Sequence, residues 1–327
     1  MDGKLLILTE AGETIGLGHY SRCSAIKVFL DGHGLPTDIF LDYKGPVPTG
    51  KHFSNARILN WLPEIQNINT HRTYSHVLLD SYLAPLAAVS SLKNSFDEVV
   101  ALDDYHRIDE GPDLIINPNI FGNKIRYTCK AVGGKDYIIL RDSFRSETKK
   151  LEVHDHVQTI LVTLGGSDFR NLLPRLLTIF LDSGFEGKVN IVAGKDEYSD
   201  QLRKQFQSVA DRLDFYGFVP ETLMKKLMLE SDLVVSACGQ TLHELAWLGV
   251  PCIGVCVGDD QILNMKAYVS NGFLHREIFW DSNNFDLTMN QELGHFSDPS
   301  ERRKRSAAGT AVVGSKGLNN IYDAIFQ

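Results

Sequence analysis

A short apolar segment followed by a glycine-rich turn, near the start of the chain, constrains the fold more than any other feature. The segment is Leu5–Thr9, and the turn carries Gly16, Gly18 and His19 ahead of an amphipathic stretch. A buried strand, a glycine turn and a helix form the unit with which open parallel α/β sheets bind ligands. Glycines let the backbone approach a ligand, and a helix start offers unpaired N–H groups with a partial positive charge. The sequence therefore predicts a site for a phosphorylated compound at this turn.

The first half of the chain alternates strand-like and helix-like segments, a rhythm that predicts a largely parallel sheet. The predicted strands are Leu5–Thr9, Thr37–Leu41, His76–Leu79, Val99–Leu102, Leu114–Ile116 and Tyr137–Leu140. The predicted helices include Tyr20–Gly32 and Ala84–Asn94.

The second half shows the same rhythm and begins with a similar strand and glycine turn. Its predicted strands are Thr159–Leu164, Val189–Ala193, Leu213–Tyr216, Leu233–Ser236 and Cys252–Val255. Its predicted helices are Leu172–Ser183, Tyr198–Val209, Thr222–Glu230, Thr241–Leu248 and Ile262–Asn271. We expect Trp280–Pro299 to be irregular and Ser300–Gln327 to be helical.

Polar residues collect from Asp142 to His156 and predict a linker between two domains, with Ser146–Lys150 at its centre. At 327 residues the chain is longer than one core of typical size supports. We therefore predict the α/β class, with two Rossmann-like domains facing a cleft. The boundary would divide residues 1–150 from residues 151–327, and the helical tail would belong to the second domain.

The composition is that of an ordinary globular protein, with 43% hydrophobic and 23% charged residues. The formal net charge of -8 makes nucleic acid or an anionic membrane an unfavourable partner. The apolar start is too short to predict a signal peptide or a membrane span. The five cysteines are scattered without a C-x-x-C pair, so we expect reduced thiols in the cytoplasm and no zinc site.

His19 has two interpretations, a catalytic base or a structural histidine bonded to a backbone carbonyl at the helix start. An imidazole can take a proton from water or a hydroxyl near neutral pH. The glycines before it and Arg22 one turn later favour the catalytic interpretation, because they place the ring beside an anion site.

A second glycine turn, Gly165-Gly166-Ser167-Asp168, follows the first strand of the second half. Successive N–H groups in such a turn form an anion nest suited to a diphosphate. The alternative is an ordinary strand-to-helix turn in which Ser167 or Asp168 caps the helix.

A third segment combines Gly239, Gln240, Thr241 and Glu244 at the start of a predicted helix. We expect Thr241 to cap the helix and Glu244 to accept hydrogen bonds from the hydroxyls of a ribose. The spacing of these two residues also fits a capping box, and the two roles are compatible. The neighbouring histidine, His243, is expected to be an exposed helix residue.

Further polar residues follow the carboxyl ends of predicted strands, where open α/β sheets bind ligands. We predict that these side chains contact the substrate: Asp80, Tyr82, Asp104, Arg141, Asp260 and Gln261. Asp103 and Asp104 are adjacent on an extended segment, so at most one of them should line the site. Asp260 could equally stabilise the start of the next helix.

These segments together resemble the UDP-sugar hydrolases of pseudaminic acid biosynthesis, which share the two-domain GT-B fold with the peptidoglycan N-acetylglucosaminyltransferase. The resemblance runs from Leu5 to about Asn271. Its motifs occur in family order: Gly16-Leu17-Gly18-His19 with Arg22, Leu78–Tyr82, Leu102–Asp104, Asp113–Asn117, Tyr137–Arg141, Gly165–Asp168 and Ser236–Glu244.

The resemblance implies a role for several residues. His19 would be the base that activates water to attack the anomeric carbon and displace UDP, and Tyr82 would touch the sugar. Glu244 would bind the nucleotide, with Gly166, Ser167 and Gly239 near the diphosphate. One position departs from the family, because Asp260 stands where those hydrolases carry an asparagine.

We therefore expect a hydrolase that cleaves the anomeric C–O bond of a UDP-activated amino sugar in nonulosonic acid or surface polysaccharide biosynthesis. Neither a metal nor another cofactor is expected, because helix dipoles and backbone donors can stabilise the leaving group. The alternatives are an inverting glycosyltransferase of the same fold and a non-catalytic partner that binds nucleotide sugars. The first domain would hold the sugar or acceptor and the base, and the second would hold the nucleotide.

Overall fold

The computed structural model describes residues 4–12, 15–46, 53–145, 152–166 and 168–327. These residues divide into two compact units, one within 1–142 and 314–327 and the other within 143–313. The centre of the predicted linker, 146–150, lies outside the described residues, as does Ser167.

The first unit is built on a parallel sheet flanked by helices. Its strands are β1 (Leu5–Gly12), β2 (Thr37–Lys44), β3 (Arg57–Ile58), β4 (His76–Asp80), β5 (Glu98–Leu102), β6 (Leu114–Asn117) and β7 (Ala131–Gly133). Among the described residues the strand order is β3-β2-β1-β4-β5-β6-β7. Helices α1 (Gly18–Gly32) and α2 (Leu86–Leu92) belong to the same unit. All eight residues of β1 are buried, as expected for a central strand covered on both faces.

The predicted strand Tyr137–Leu140 was wrong. A short 3-10 turn, Lys135–Tyr137, is followed by an unpaired segment in which Ile138 and Ile139 are buried. This segment is apolar because it lies in the core, where Ile139 joins the same hydrophobic cluster as Leu318. The neighbouring strand β7 was not predicted.

The second unit is also built on a parallel sheet, with strands β8 (Thr159–Thr163), β9 (Lys188–Val192), β10 (Leu213–Tyr216), β11 (Leu233–Ala237) and β12 (Cys252–Val255). The described strand order is β10-β9-β8-β11-β12. Its helices are α3 (Leu173–Asp182), α4 (Asp196–Gln205), α5 (Glu221–Glu230), α6 (Gln240–Leu248), α7 (Ile262–Ser270), α8 (Phe285–Phe296) and α9 (Pro299–Val312).

The segment Trp280–Pro299 is not irregular, because helix α8 occupies most of it. Phe285, Met289 and Phe296 of this helix are fully buried in the core of the second unit. They are separated by four and seven residues, which places them on one helical face. This periodicity was missed in the prediction of an irregular segment.

The C-terminal tail is helical, as predicted, but its last helix does not belong to the second unit. Helix α10 (Gly317–Phe326) buries Leu318, Ile321 and Ile325 in the core of the first unit. The chain therefore returns to the first unit after Val313, and the predicted boundary assigned this helix to the wrong unit.

Each sheet reverses its strand order beside its first strand. In the first unit, β1 lies between β2 and β4, and in the second unit, β8 lies between β9 and β11. Ligands of open α/β sheets bind outside the carboxyl ends of the strands at such reversals. The turn before α1 and the glycine turn after β8 both follow strands at these positions.

Candidate active site

Helix α1 carries two buried polar residues next to the carboxyl ends of β1 and β4. The helix begins at Gly18 without a side-chain cap, so His19 lies in its first turn and Arg22 one turn later. Before the helix, Gly16 has a φ of +79°, which favours glycine, and its backbone pairs with Gly12 in both directions. His19 and Arg22 are only 6% and 7% exposed. A buried histidine and a buried arginine at one helix start require polar partners.

Asp80, the last residue of β4, is the partner of His19. Its Oδ1 lies 2.7 Å from Nδ1 of the imidazole. Because the carboxylate is ionised, it can only accept, so the short contact assigns the proton to Nδ1. Nη2 of Arg22 lies farther from Nδ1, at 3.2 Å, and donates to Asp80 at 2.6 Å instead. The other ring nitrogen, Nε2, then carries the free lone pair. Within the described part of the chain Nε2 has no hydrogen-bond partner, so the ring is oriented to accept a proton there.

Arg22 joins two carboxylates, Asp80 at the end of β4 and Asp104 just after β5. Its Nε and Nη2 donate to the two oxygens of Asp80 at 2.7 and 2.6 Å, and its Nη1 donates to Asp104 at 2.7 Å. Such a paired contact of a guanidinium with a carboxylate fixes both direction and distance. Arg22 therefore holds Asp80 in the position from which it bonds His19.

The charges of this cluster determine the protonation of its carboxylates. Burial opposes the ionisation of Asp80, but the Arg22 and His19 charges outweigh it and lower the pKa of this carboxyl well below its usual range. The pKa of Asp104 is also lowered, since the Arg22 charge again outweighs burial. Burial opposes the charge of Arg22 in turn, but Asp104 and Asp80 raise the pKa of its guanidinium well above the usual value. Both carboxylates are therefore ionised at neutral pH.

Tyr82 closes the cluster beside His19. Its hydroxyl donates to Oδ2 of Asp104 at 2.5 Å, and its ring meets the imidazole edge-on with centroids 4.2 Å apart. Its backbone N–H donates to Glu10 at 2.7 Å, and the hydroxyl of Ser81 donates to the same carboxylate. Glu10 thus fixes the loop that carries Tyr82. Glu10 was not among the predicted site residues, because a single acid inside an apolar strand forms no recognisable pattern.

Asp103 and Asp104 have different surroundings, as their adjacent positions predicted. Asp104 belongs to the cluster and also accepts from Nδ2 of Asn119 at 2.9 Å. Asp103 instead accepts from the backbone N–H of Arg107 at 3.0 Å, and burial raises the pKa of its carboxyl. Only Asp104 contacts the residues around His19.

The glycine turn after β8 presents backbone donors in the second unit. Gly165 has a φ of +97° and is exposed, and a Cβ added there would meet no atom within 4 Å. Asp168 accepts from the backbone N–H groups of Leu172 and Leu173 at 2.8 Å each. Asp168 therefore accepts hydrogen bonds from the N–H groups at the start of α3, as one of the two interpretations of this turn predicted. Gly166 is half-buried, and the predicted role of Ser167 lies outside the described residues.

Helix α6 begins at Gln240, one residue earlier than predicted. Gly239 is its N-cap and no side chain caps it, so Thr241 is a helix residue and does not cap the helix as expected. Glu244 is fully buried at 0% exposure, and its predicted contact with a ribose stays a prediction. His243 was predicted to be exposed but is buried, with 2% of its surface accessible, and its Nδ1 is hydrogen-bonded to the Tyr268 hydroxyl at 2.7 Å.

Gln261 ties the carboxyl ends of β11 and β12 together. Its Oε1 accepts from the backbone N–H of Cys238 at 3.1 Å and of Val257 at 3.2 Å. The amide nitrogen Nε2 has no hydrogen-bond partner among the described residues, and it lies 3.8 Å from the position of a Cβ added to Gly239. The side chain therefore presents an N–H donor beside the start of α6.

Two further predicted contacts are Asp260, which follows β12, and Arg141, which follows the unpaired segment in place of the predicted strand. Asp260 is exposed in a 3-10 turn, Asp259–Gln261, and Arg141 is half-buried after Leu140. Their roles toward a substrate stay predictions.

Within the described ranges, no group of three or more His, Cys, Asp or Glu side chains could hold a metal ion. No described helix has the length and apolar character needed to cross a membrane.

Comparisons with known proteins agree with this architecture. Residues 159–304 match the family model of the glycosyltransferase family 28 C-terminal domain. The structure of Acinetobacter baumannii MurG is similar over 98% of this chain and 99% of its own, with a TM-score of 0.70 and 16% identity. Spinosyn rhamnosyltransferase SpnG, solved with thymidine diphosphate, is similar over 98% of this chain and 100% of its own, with a TM-score of 0.65 and 12% identity. The chain therefore has the GT-B fold, as the sequence predicted.

Two relatives are similar in sequence over part of the chain. The Bacillus subtilis spore coat polysaccharide biosynthesis protein SpsG is 23% identical over 207 residues, which cover 60% of this chain and 60% of SpsG. The uncharacterized protein MJ1062 of Methanocaldococcus jannaschii is 30% identical over 126 residues, which cover 37% of this chain and 26% of that protein. The chain thus matches less than two thirds of the length of either relative.

Proposed function

We propose that this protein is an enzyme acting on a UDP-activated amino sugar, with His19 as the base. One observation carries the proposal: Nδ1 of the buried His19 donates to Asp80 at 2.7 Å, which leaves Nε2 as the proton acceptor. The match to a glycosyltransferase family supports a nucleotide-sugar substrate. The structure of Staphylococcus aureus MnaA with UDP, similar with a TM-score of 0.66 at 10% identity, supports UDP as the nucleotide.

The reaction that this geometry favours is displacement at the anomeric carbon. Nε2 of His19 takes a proton from water while the water oxygen forms a bond to the anomeric carbon. The bond from that carbon to the diphosphate oxygen breaks, and UDP leaves with the bonding electron pair. The imidazolium that forms is stabilised by the ionised Asp80, and its proton passes to solvent afterwards.

The second unit would bind the nucleotide. Backbone N–H groups at Gly165 and Gly166 and at the start of α6 would donate to the diphosphate, together with Nε2 of Gln261. Such fixed donors stabilise charge that develops on a leaving group. Glu244 would accept from the ribose hydroxyls, as the family resemblance implies.

Water is the nucleophile in this proposal because the motif set resembles UDP-sugar hydrolases. The second candidate is a glycosyltransferase, in which His19 deprotonates an acceptor hydroxyl instead. It is favoured by the family model, which is that of a transferase domain, and by the SpsG relative, whose name places it in polysaccharide biosynthesis. Both candidates use the same base and the same leaving group.

The test is release of UDP from a panel of UDP-amino-sugars, first with water alone and then with added sugar acceptors. Turnover in water that His19→Ala abolishes supports the hydrolase. Turnover only with an acceptor supports the transferase. His33→Ala is the matched control, because His33 follows the same helix and its ring bonds a backbone carbonyl, that of Phe29 at 2.8 Å, rather than a carboxylate. Tight UDP binding without turnover under either condition would contradict both candidates and favour a binding partner.

A further inference from the structure

An arginine outside every predicted site contacts two aromatic rings near the proposed nucleotide region of the second unit. Arg170 follows the glycine turn after β8, and its guanidinium lies against two aromatic rings. It is 4.7 Å from the centroid of Phe169 and 4.3 Å from that of Trp280. Its Nε donates to the backbone carbonyl of Val257 at 3.1 Å. The residue is exposed, and among the described residues its Nη1 and Nη2 have no hydrogen-bond or ion-pair partner.

Hydrogen bonds connect this arginine with the start of α6. Val257, whose carbonyl accepts from Arg170, donates its own N–H to Gln261. Gln261 also accepts from the N–H of Cys238, the residue before the Gly239 cap. Arg170 therefore belongs to the same carboxyl edge of the sheet as the backbone donors of Gly165 and α6.

The second aromatic ring comes from a segment to which the proposed function gives no role. The backbone N–H of Trp280 donates to the carbonyl of Cys256 at 3.1 Å, just after β12. The preceding residue, Phe279, forms a parallel bridge with Cys256. The segment after α7 thus extends the sheet edge and places Trp280 against Arg170.

The charges at this edge need a cation if a diphosphate is to bind. Burial and the carboxylates of Asp260, Asp259 and Asp281 raise the pKa of the Cys256 thiol to about 11, so three acids lie near the end of β12. A nucleoside diphosphate carries the same sign of charge and would be repelled by them. A guanidinium whose terminal nitrogens have no partner within the described ranges offsets this repulsion and matches phosphate geometry.

We propose that Arg170 binds the diphosphate of the nucleotide, and that Phe169 and Trp280 hold its guanidinium in place for that purpose. This inference rests on the proposed function, because it assumes that the second unit binds a nucleoside diphosphate. Stacking between two rings restrains a side chain that otherwise loses much rotamer freedom on binding. The aromatic pair would thereby strengthen binding without touching the phosphate.

The test compares UDP with uridine as ligands of the full chain, by calorimetry or by competition. We expect Arg170→Gln to weaken UDP binding roughly 10- to 100-fold, the range of one or two charge-assisted hydrogen bonds. Uridine has no phosphate, so its affinity should change less than about twofold. Trp280→Leu should weaken UDP binding by a smaller factor, because the cation is present but less restrained.

Arg175→Gln is the matched control. Arg175 also lies over an aromatic ring, that of Phe285 at 4.6 Å, but its Nε is already paired with Asp286 at 2.6 Å. This variant should bind UDP as the wild type does. Equal UDP affinity in Arg170→Gln and the wild type would overturn this inference and leave the proposed function intact. Failure of the wild type to bind UDP would overturn both.

Discussion

The carboxyl edges of the two sheets have the same topology but opposite chemistry. In the first unit, the edge beside β1 and β4 is formed by buried charged side chains, with Arg22 paired to Asp80 and Asp104. In the second unit, the edge beside β8 and β11 presents exposed or half-buried glycines, backbone N–H groups and the Gln261 amide, and its charged side chains, such as Arg170 and Asp260, are exposed rather than buried. The strand reversals are alike, so the difference comes from the residues that follow each strand.

This difference assigns distinct tasks to the two edges. A buried ion network fixes the direction of one imidazole nitrogen, which suits proton transfer to a single atom. Backbone donors on an open turn suit an anion that must enter and leave, because they need no compensating charge when the ligand is absent. Substitutions at the first edge should therefore change turnover or stability, and those at the second edge should change nucleotide affinity.

The largest effect is expected for Asp80→Asn. The amide can present an N–H to Nδ1, which would favour the tautomer with its proton on Nε2 and remove the base. We expect kcat to fall by a factor on the order of 100 or more, with UDP affinity unchanged. Asp103→Asn is the control, because Asp103 is equally buried at a neighbouring strand end but bonds Arg107 and not His19. A fall of equal size in both variants would contradict the assignment.

The next largest effect is on stability, for Arg22→Met. Removing this cation leaves Asp80 and Asp104 as buried carboxylates without their partner. We expect a loss of about 3–5 kcal/mol in the free energy of unfolding, or a decrease in Tm of roughly 10 °C. Lys27→Met on the same helix removes a partly exposed pair with Asp31 and should cost less than about 1 kcal/mol. Thermal unfolding of both variants tests the contrast, and equal values would contradict it.

A moderate effect is expected at the second edge, for Gln261→Ala. The change removes the Nε2 donor and leaves the N–H groups of Cys238 and Val257 without their acceptor. We expect UDP to bind about tenfold more weakly, the equivalent of about 1.4 kcal/mol, while kcat at saturating substrate changes little. Gln205→Ala, at the exposed end of α4, serves as the control and should bind UDP normally. A lower kcat with unchanged UDP affinity would reverse the roles of the two edges.

The smallest effect is a pH dependence of stability. Because the pKa of Asp104 is lower in the folded chain than in the unfolded chain, its contribution is present above the unfolded value near 4. This contribution decreases as the pH falls from there through the lower folded value. Between pH 5 and pH 3, Asp104→Asn should lose less Tm than the wild type, by roughly 2–4 °C. Parallel Tm curves over this range would show that Asp104 does not carry the charge inferred here.

The residues of the first edge could be predicted from the sequence, but their bonds could not. His19, Arg22, Asp80 and Asp104 each follow a recognisable strand or glycine turn. The pairs they form span 61, 58 and 82 residues, so no local pattern indicates which carboxylate meets which cation. Glu10 was missed for the same reason, since its partners Ser81 and Tyr82 lie in the loop that follows another strand, β4.

Errors at the second edge and in the tail have other physical causes. Helix α6 is capped by the backbone at Gly239, whereas the sequence favoured the side chain of Thr241 because hydroxyl caps are common. Helix α10 has the same apolar periodicity whichever core it joins, so its sequence could not predict that it packs in the first unit. The proposed role of Trp280 depends on its ring contact with Arg170, and no spacing in the sequence indicates that contact.

The role of His19 is tested most directly by measuring kcat for UDP release and the Kd for UDP in the same preparation of His19→Ala. We expect kcat to fall by a factor on the order of 100 to 10,000, the usual contribution of a general base. We also expect a Kd within about twofold of the wild-type value, because no second-unit donor is altered. Wild-type kcat in His19→Ala would contradict the central claim that this histidine is the base.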